Sequence, residues 1–313
     1  HYQSKSLVKD ELLTRIKTHI KLANISTAYG RFVPHEYLYF LSRESILDVK
    51  LGDHISKEMA VMFSDIRSFT TLAESMTPQE SFNFVNAYLH EVSPEIRKNN
   101  GLVVKYLGDG VMAVFPDRAD DAVIAGIAKL DKVRQYNQRR LESGDRPIKI
   151  GIGIHIGHVM VGIVGEAGRM EGDALSDNVN LTARLEGLTK FYGVSLLISE
   201  QVVKKMHDRE KFQFRFLDRA IVKGRSEPIS IYEVLDGEPE ETRNLKLKTQ
   251  PDFERGIEFY RRGELEPAKE FFNRVLQVNS LDKTAELYLE RIERLQRLGL
   301  PEEWNGTWRF TEK

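Results

Sequence analysis

Asp109 stands in the run Val104-Lys105-Tyr106-Leu107-Gly108-Asp109-Gly110-Val111-Met112-Ala113-Val114-Phe115, where two apolar stretches flank Gly-Asp-Gly. Asp-Gly between apolar runs signals a tight hairpin, because both residues tolerate positive φ. A carboxylate on such a tip can reach a metal ion, and Lys105, four residues earlier, can reach a different ligand. Alone, the stretch favours a turn Asp chosen for its backbone. A second carboxylate, Asp65, opens Asp65-Ile66-Arg67-Ser68-Phe69-Thr70 at the end of an apolar run; metal ligation and helix capping explain it equally well. Asn180 and Arg184 are four apart, so on a helix they present an amide and a guanidinium on one face, as polar residues of a solvated face also do. Lys223 beside Gly224 suits close approach to phosphate, and suits a plain surface lysine as well.

The elements that must position these groups follow from periodicity. Glu58–Ser64 reads as a buried strand ending at Asp65, and Thr77-Pro78-Gln79-Glu80 is a capping box that opens a helix to about Asn99. Gly101 ends that helix and leads into the Asp109 hairpin. A helix over about 120–141 and a strand over 148–156 come next. His155 and His158 lack a matching third ligand and stay outside the candidate site. The glycine-rich stretch 162–172 reads as an irregular loop, free to cover a ligand or to serve only as a turn. Strands are expected at 194–198, 212–217 and 229–234.

At the N-terminal side, Leu12, Leu13, Ile16 and Ile20 recur at helical spacing between basic residues, an amphipathic helix over 9–22. The wording Glu11-Leu12-Leu13-Thr14-Arg15-Ile16-Lys17-Thr18-His19 resembles the last helix of response-regulator receiver domains. Residues 30–57, with Phe32, Pro34, Tyr37, Tyr39 and Phe40, read as a connector that packs on the next domain. Beyond a charged stretch at 237–250, Gly256, Phe259, Gly263, Ala268 and Phe272 resemble one tetratricopeptide-type helical pair, followed by a helix over 283–297. A single repeat cannot bury its apolar faces alone, so it should dock on the main domain or pair across a dimer.

The chain has 313 residues, 46 basic against 47 acidic, and no cysteine. No global field steers it to nucleic acid or a membrane surface, and any anion site must be local. Disulfides, thiol catalysis and cysteine-ligated zinc are excluded; a reducing, cytoplasmic setting fits. No apolar run reaches membrane-spanning length. The sequence opens at His1, which suits a fragment of a longer chain.

Phe63-Ser64-Asp65-Ile66-Arg67-Ser68-Phe69-Thr70, the Asp109 hairpin, Asn180 to Arg184 and Lys223-Gly224 together resemble, in order and spacing, the catalytic domain of class III nucleotidyl cyclases. The resemblance covers about 58–235, and the connector, the run Arg-Met-Glu-Gly-Asp-Ala-Leu-Ser-Asp and the helical tail are most similar to bacterial, including cyanobacterial, multidomain adenylyl cyclases. It implies an α+β fold of ferredoxin-like βαββαβ type. The implied organisation is a helical signalling connector at 1–57, a catalytic domain at 58–236, a linker at 237–250 and a tetratricopeptide-like tail at 251–313.

The implied reaction converts ATP to 3′,5′-cyclic AMP and pyrophosphate, with two divalent cations, Mg²⁺ or Mn²⁺, held by Asp65 and Asp109. Arg184 matches the arginine that neutralises transition-state charge, Asn180 the residue that orients the ribose, and Lys223 the lysine of the terminal phosphates. Lys105 matches the donor to adenine N1 and Asp173 the acceptor from the adenine amino group, a pair that guanine would meet with the reverse pattern. Ser176 and Asn178 depart from the Gly and Thr of many relatives, and Asp173 from the Thr of similar bacterial enzymes. The resemblance further implies a homodimer with sites shared between chains and a sensor or receiver domain upstream. A guanylyl cyclase and a catalytically silent scaffold are the alternatives.

Overall fold

The structure, a computed structural model, describes residues 2–30 and 35–310, so Phe32 and Pro34 of the expected connector lie outside it. The chain divides into two compact units, one of residues 1–55 with 161–173 and one of residues 56–160 with 174–313. In chain order the elements are α1 (Tyr2–Tyr29), α2 (His35–Phe40), β1 (His54–Ile66), α3 (Phe69–Ala73), α4 (Pro78–Lys98), β2 (Leu102–Leu107), β3 (Gly110–Phe115) and α5 (Ala119–Glu142). There follow β4 (Ile150–Glu166), β5 (Arg169–Leu175), α6 (Asp177–Tyr192), β6 (Leu196–Ser199), α7 (Glu200–Lys205), β7 (Phe214–Ile221) and β8 (Ile229–Val234). The tail contributes α8 (Glu240–Arg262), α9 (Leu265–Val278), α10 (Lys283–Leu298) and the short β9 (Trp308–Arg309).

The larger unit is built on a sheet of order β2-β3-β1-β4-β6-β8-β7-β9. Its mixture of antiparallel pairs with a parallel β4–β6 pair agrees with the expected α+β class. Met59 to Met62 of β1 are buried without alternation, as befits a strand covered on both faces. One core joins Ala60 and Met62 to Phe84, Tyr88, Val92 and Ile96 of α4 and to Val123, Leu130 and Val133 of α5. Thr77 and Glu80 form the reciprocal capping box at the start of α4, with Pro78 in the first turn.

A second core joins Leu181, Leu185 and Leu188 of α6 and Leu217 and Ile231 of β7 and β8 to Phe253, Phe272, Tyr288 and Ile292 of the tail. The tail therefore shares its interior with the helix that carries Asn180 and Arg184. Thr284 Oγ1 donates to the Tyr192 carbonyl at 2.8 Å, and Tyr192 and Arg291 both donate to the buried Asp218 carboxylate at 2.6 Å. Buried Arg215 pairs with Asp282 at 2.7 Å and lies 3.5 Å from the Phe253 ring centre. Removing one member of such a buried pair strands the other, which typically costs about 3–5 kcal/mol.

Two expectations change. Residues 240–250 are not a linker but the first turns of α8, which continues through Pro251. The charges that suggested a solvated segment are partly internal, since Lys246 is buried against Glu233. The stretch 162–172 is not irregular either: β4 runs to Glu166 and β5 begins at Arg169, so most of it is paired strand.

Within the smaller unit, α1 is a single helix longer than the periodicity implied, with Leu12, Leu13, Ile16 and Ile20 exposed. Gly52 N–H donates to the Ile163 carbonyl and Ile163 N–H to the Asp53 carbonyl, and Asp53 is held in a two-pronged pair with Arg43 at 2.9 and 3.0 Å. Among the described residues no helix is long and apolar enough to cross a membrane.

Candidate active site

Strand pairing brings the two aspartates together. β1 and β3 are antiparallel with Ser64 opposite Val111, so the C-terminal end of β1 meets the turn before β3 at one end of these two interior strands. Leu107 pairs with Gly110, which leaves Gly108 and Asp109 as a two-residue loop. The positive φ falls on Gly108, at +70°, rather than on the Asp-Gly pair as the sequence suggested. Ile66 N–H then donates to both carboxylates, Asp65 Oδ1 at 3.0 Å and Asp109 Oδ2 at 3.1 Å.

One amide shared by two carboxylates cannot neutralise both. Burial first, then a hydrogen bond to Asp109 and its charge, and then Glu186 push the Asp65 carboxyl up to about 7. Glu186, on α6, is itself raised to about 7, chiefly by burial, with Asp109 adding and Arg67 opposing. Tyr88 presents a fully buried hydroxyl without a hydrogen-bond partner among the described residues, and burial followed by the charges of Asp65, Asp109 and Glu186 raises its ionisation well above the usual range. Asp65, Asp109 and Glu186 thus form a cluster of hard oxygen donors in which negative charge accumulates. Among the described residues no set of three or more His, Cys, Asp or Glu side chains is arranged around a metal position. Two carboxylates suit a cation such as Mg²⁺, which completes its shell with water and substrate phosphate.

The cationic half lies on α6 and the loop after β7. Ser176 caps α6, its Oγ accepting from Val179 N–H at 3.2 Å. Asn180 is exposed and Arg184 half-buried, four residues further along the same helix. Arg184 Nη1 is buried without a hydrogen-bond partner among the described residues, a donor free for an acceptor of another molecule. Gly224 lies against it: a Cβ there would sit 3.3 Å from Nη2, and the residue has φ +78°. Lys223 is exposed beside Gly224, and Arg225 ties the loop to α6 through Asp177. The loop that carries Lys223 and Gly224 thus lies against Arg184 through Gly224. Neither Asp65 nor Asp109 hydrogen-bonds or ion-pairs with Asn180, Arg184 or Lys223 among the described residues. Lys105 is half-buried on β2, opposite Met112, and Asp173 is half-buried on β5 of the smaller unit.

The departures at Ser176 and Asn178 have a local explanation. Asn178 Nδ2 donates to the His158 carbonyl at 3.0 Å, and its Oδ1 accepts from His155 Nε2 at 3.1 Å. His155 Nδ1 takes the Ser199 hydroxyl at 2.8 Å, and burial lowers its pKa to about 4, so the ring is neutral and structural. Together these bonds pin the start of α6 to β4 and β6.

Three residues at or near the site were missed in the sequence, two of them without a signal that could have marked them. Glu186 and Tyr88 read as ordinary helix positions. Lys129 is wholly buried, donates to Ser64 Oγ at 2.5 Å beside Asp65, and has its pKa lowered by burial to about 7. Its position was legible: Ala122, Ala125, Gly126, Leu130 and Val133 define the apolar face of α5, and Lys129 falls within it.

A family model described as the adenylate and guanylate cyclase catalytic domain matches residues 53–235, more than half of the chain. The chain belongs to that family. It is 35% identical over 286 residues to the terminal-differentiation-specific adenylate cyclase of Dictyostelium discoideum, covering 90% of this chain and 13% of that protein. It is 37% identical over 220 residues to an adenylate cyclase of Anabaena cylindrica, covering 68% of this chain and 44% of that protein. The chain therefore spans less than half the length of these relatives. Among solved structures, a bacterial light-regulated adenylyl cyclase superposes with a TM-score of 0.62 at 26% identity, over 73% of this chain and 66% of that one. The guanylyl cyclase Cya2 superposes with a TM-score of 0.51 at 27% identity, over 59% and 94%.

Proposed function

We propose that the chain is an adenylyl cyclase that forms 3′,5′-cyclic AMP and pyrophosphate from ATP at sites shared between two copies of itself. The observation that carries this reading is the convergence of Asp65 and Asp109 on the single amide of Ile66. Such a pair is costly to bury without a counter-charge. Its two carboxylates would hold Mg²⁺ or Mn²⁺. When bound, two such ions supply acidification of the ribose 3′-hydroxyl and compensation of triphosphate charge.

The chain's own residues would do the rest. As the 3′-oxygen bonds to the α-phosphorus and the bond to pyrophosphate breaks, Arg184 would offset charge on the α-phosphate through its planar fork. Its Nη1, unpartnered among the described residues, supports that role. Asn180 would orient the ribose, and Lys223 would hold the terminal phosphates. Lys105 would donate to adenine N1, and Asp173 would accept from the 6-amino group.

A site completed by a second copy would bring the Arg184 Nη1 of one chain, unpartnered among the described residues, to substrate held at the Asp65 and Asp109 of the other. The β2–β3 hairpin supports such a site, since it leaves Tyr106 and Leu107 about half exposed beside the catalytic carboxylate. The helices of the tail, in which α8 and α9 read as one tetratricopeptide-like pair, would serve as the platform of α6. An input domain joined through α1 and α2 would fit the similarity to a light-regulated cyclase.

A guanylyl cyclase is the second reading, favoured by the similarity to Cya2. The test is to supply ATP or GTP with Mg²⁺ or Mn²⁺ and to identify the cyclic product by mass. We expect cyclic AMP in excess, and a loss of ATP preference in the Lys105→Glu, Asp173→Cys double variant. Undiminished ATP preference in that variant would remove the base-reading assignment.

A further inference from the structure

The connector reaches Asp173 through one side chain. Tyr37 of α2 is 3% exposed, and its ring occupies the space beside Gly172, where a Cβ would lie 2.6 Å from Tyr37 Cζ. Its hydroxyl lies 2.7 Å from the Gly162 carbonyl of β4 and 3.1 Å from the Asp173 carbonyl of β5. A phenol has one hydrogen, so it is shared between the two strands of the hairpin. Burial, and after it the Asp173 charge, raise the ionisation of the phenol well above the usual range, so the hydroxyl remains a donor throughout any assay.

Gly172 makes room for this anchor. A glycine within a paired strand marks a place where another group approaches the backbone closely, and here that group is the Tyr37 ring. The ring of Tyr37 lies where a side chain of residue 172 would have stood, and its hydroxyl fixes the peptide carbonyl of residue 173. A substituent at 172 would collide with the ring, so the two positions form one device.

We propose that Tyr37 is a positioning residue for base selection: it fixes the Asp173 backbone so that the carboxylate meets the 6-amino group of adenine. The inference rests on the role assigned to Asp173 above. It assigns to a residue outside the catalytic motifs a share in substrate choice, separate from the steps at phosphorus. The effect belongs in KM for the matching base, because a hydrogen bond to the base is made equally in ground and transition states.

The experiment compares ATP with purine riboside triphosphate, which lacks only the 6-amino group, in the wild type, Tyr37→Phe, Asp173→Ala and the double variant. Tyr37→Phe keeps the ring on Gly172 and removes the hydroxyl alone. It should raise KM for ATP by about fivefold, the worth of one hydrogen bond, with kcat little changed and the analogue unaffected. Asp173→Ala should abolish the preference for ATP over the analogue, and adding Tyr37→Phe to it should change nothing further. Equal loss on both substrates, or an unchanged preference in Tyr37→Phe while Asp173→Ala loses it, overturns the role of Tyr37 and leaves that of Asp173 standing. An unchanged preference in Asp173→Ala overturns both.

Discussion

Alanine at Asp65 or at Asp109 is expected to lower cyclic nucleotide formation by about 10³-fold or more, since a metal clamp contributes several kcal/mol to the barrier. Both side chains lean on the Ile66 amide, so loss of either leaves the other as a single weak ligand. The pH dependence has a definite sign. The Asp65 carboxyl is raised to about 7, so the folded chain holds this proton more tightly than the unfolded one. Folding is therefore penalised progressively as pH rises from the ordinary carboxyl range through about 7, and a divalent cation relieves the penalty where the carboxylate is ionised. Mg²⁺ should raise Tm more at about pH 8 than at about pH 5.5, and metal-free Asp65→Asn should melt above the wild type at the higher pH. At limiting Mg²⁺, activity should fall as pH drops through about 7, because proton and metal compete for one carboxylate. Thermal melts and initial rates across pH check both statements; an aspartate variant with normal turnover removes the two-metal assignment.

The second large effect is at Arg184. Removing one preorganised donor to charge that develops in a transition state typically costs about 10²–10³ in rate. Arg184→Ala should show that loss in kcat with KM little moved, as expected for an interaction made chiefly in the transition state. Arg184→Lys should recover only part, because an ammonium lacks the planar fork that spans two phosphate oxygens. The helix itself should survive the change, since its buried face is made by Leu181, Leu185 and Leu188. A variant that raises KM and leaves kcat intact would move Arg184 from catalysis to ground-state binding.

What the sequence disclosed was governed by how chemistry is written in residue types. Asp65, Asp109, Asn180, Arg184 and Lys223 could be proposed because together, in order and spacing, they resemble the catalytic domain of class III nucleotidyl cyclases; each residue alone left its role open. The structure brings Asp65 to Asp109 and Arg184 to the Lys223-Gly224 loop. Glu186 escaped notice because a glutamate on a helix is ordinarily solvated; only the end of β1 makes it part of a carboxylate cluster. The segment 237–250 misled because charge density stood for exposure, whereas Lys246 is paired inside with Glu233. The glycines of 162–172 suggested looseness, yet Gly172 is small to admit the Tyr37 ring. The tail, expected to dock on the main domain or to pair across a dimer, packs its aromatic residues into the core beneath α6, a depth of burial that the spacing of one helical pair did not disclose. In each case long-range packing decided what local composition left open.

The central claim is that the aspartates and the Asn180, Arg184 and Lys223 group serve one reaction from two different chains. Mixing inactive Asp109→Ala chains with inactive Arg184→Ala chains tests it directly. A mixed dimer carries one site with both lesions and one with neither, so random pairing should restore about a quarter of wild-type activity. Recovery near that level is the predicted result; a mixture that stays as inactive as its parts, although mixed dimers form, would contradict the account.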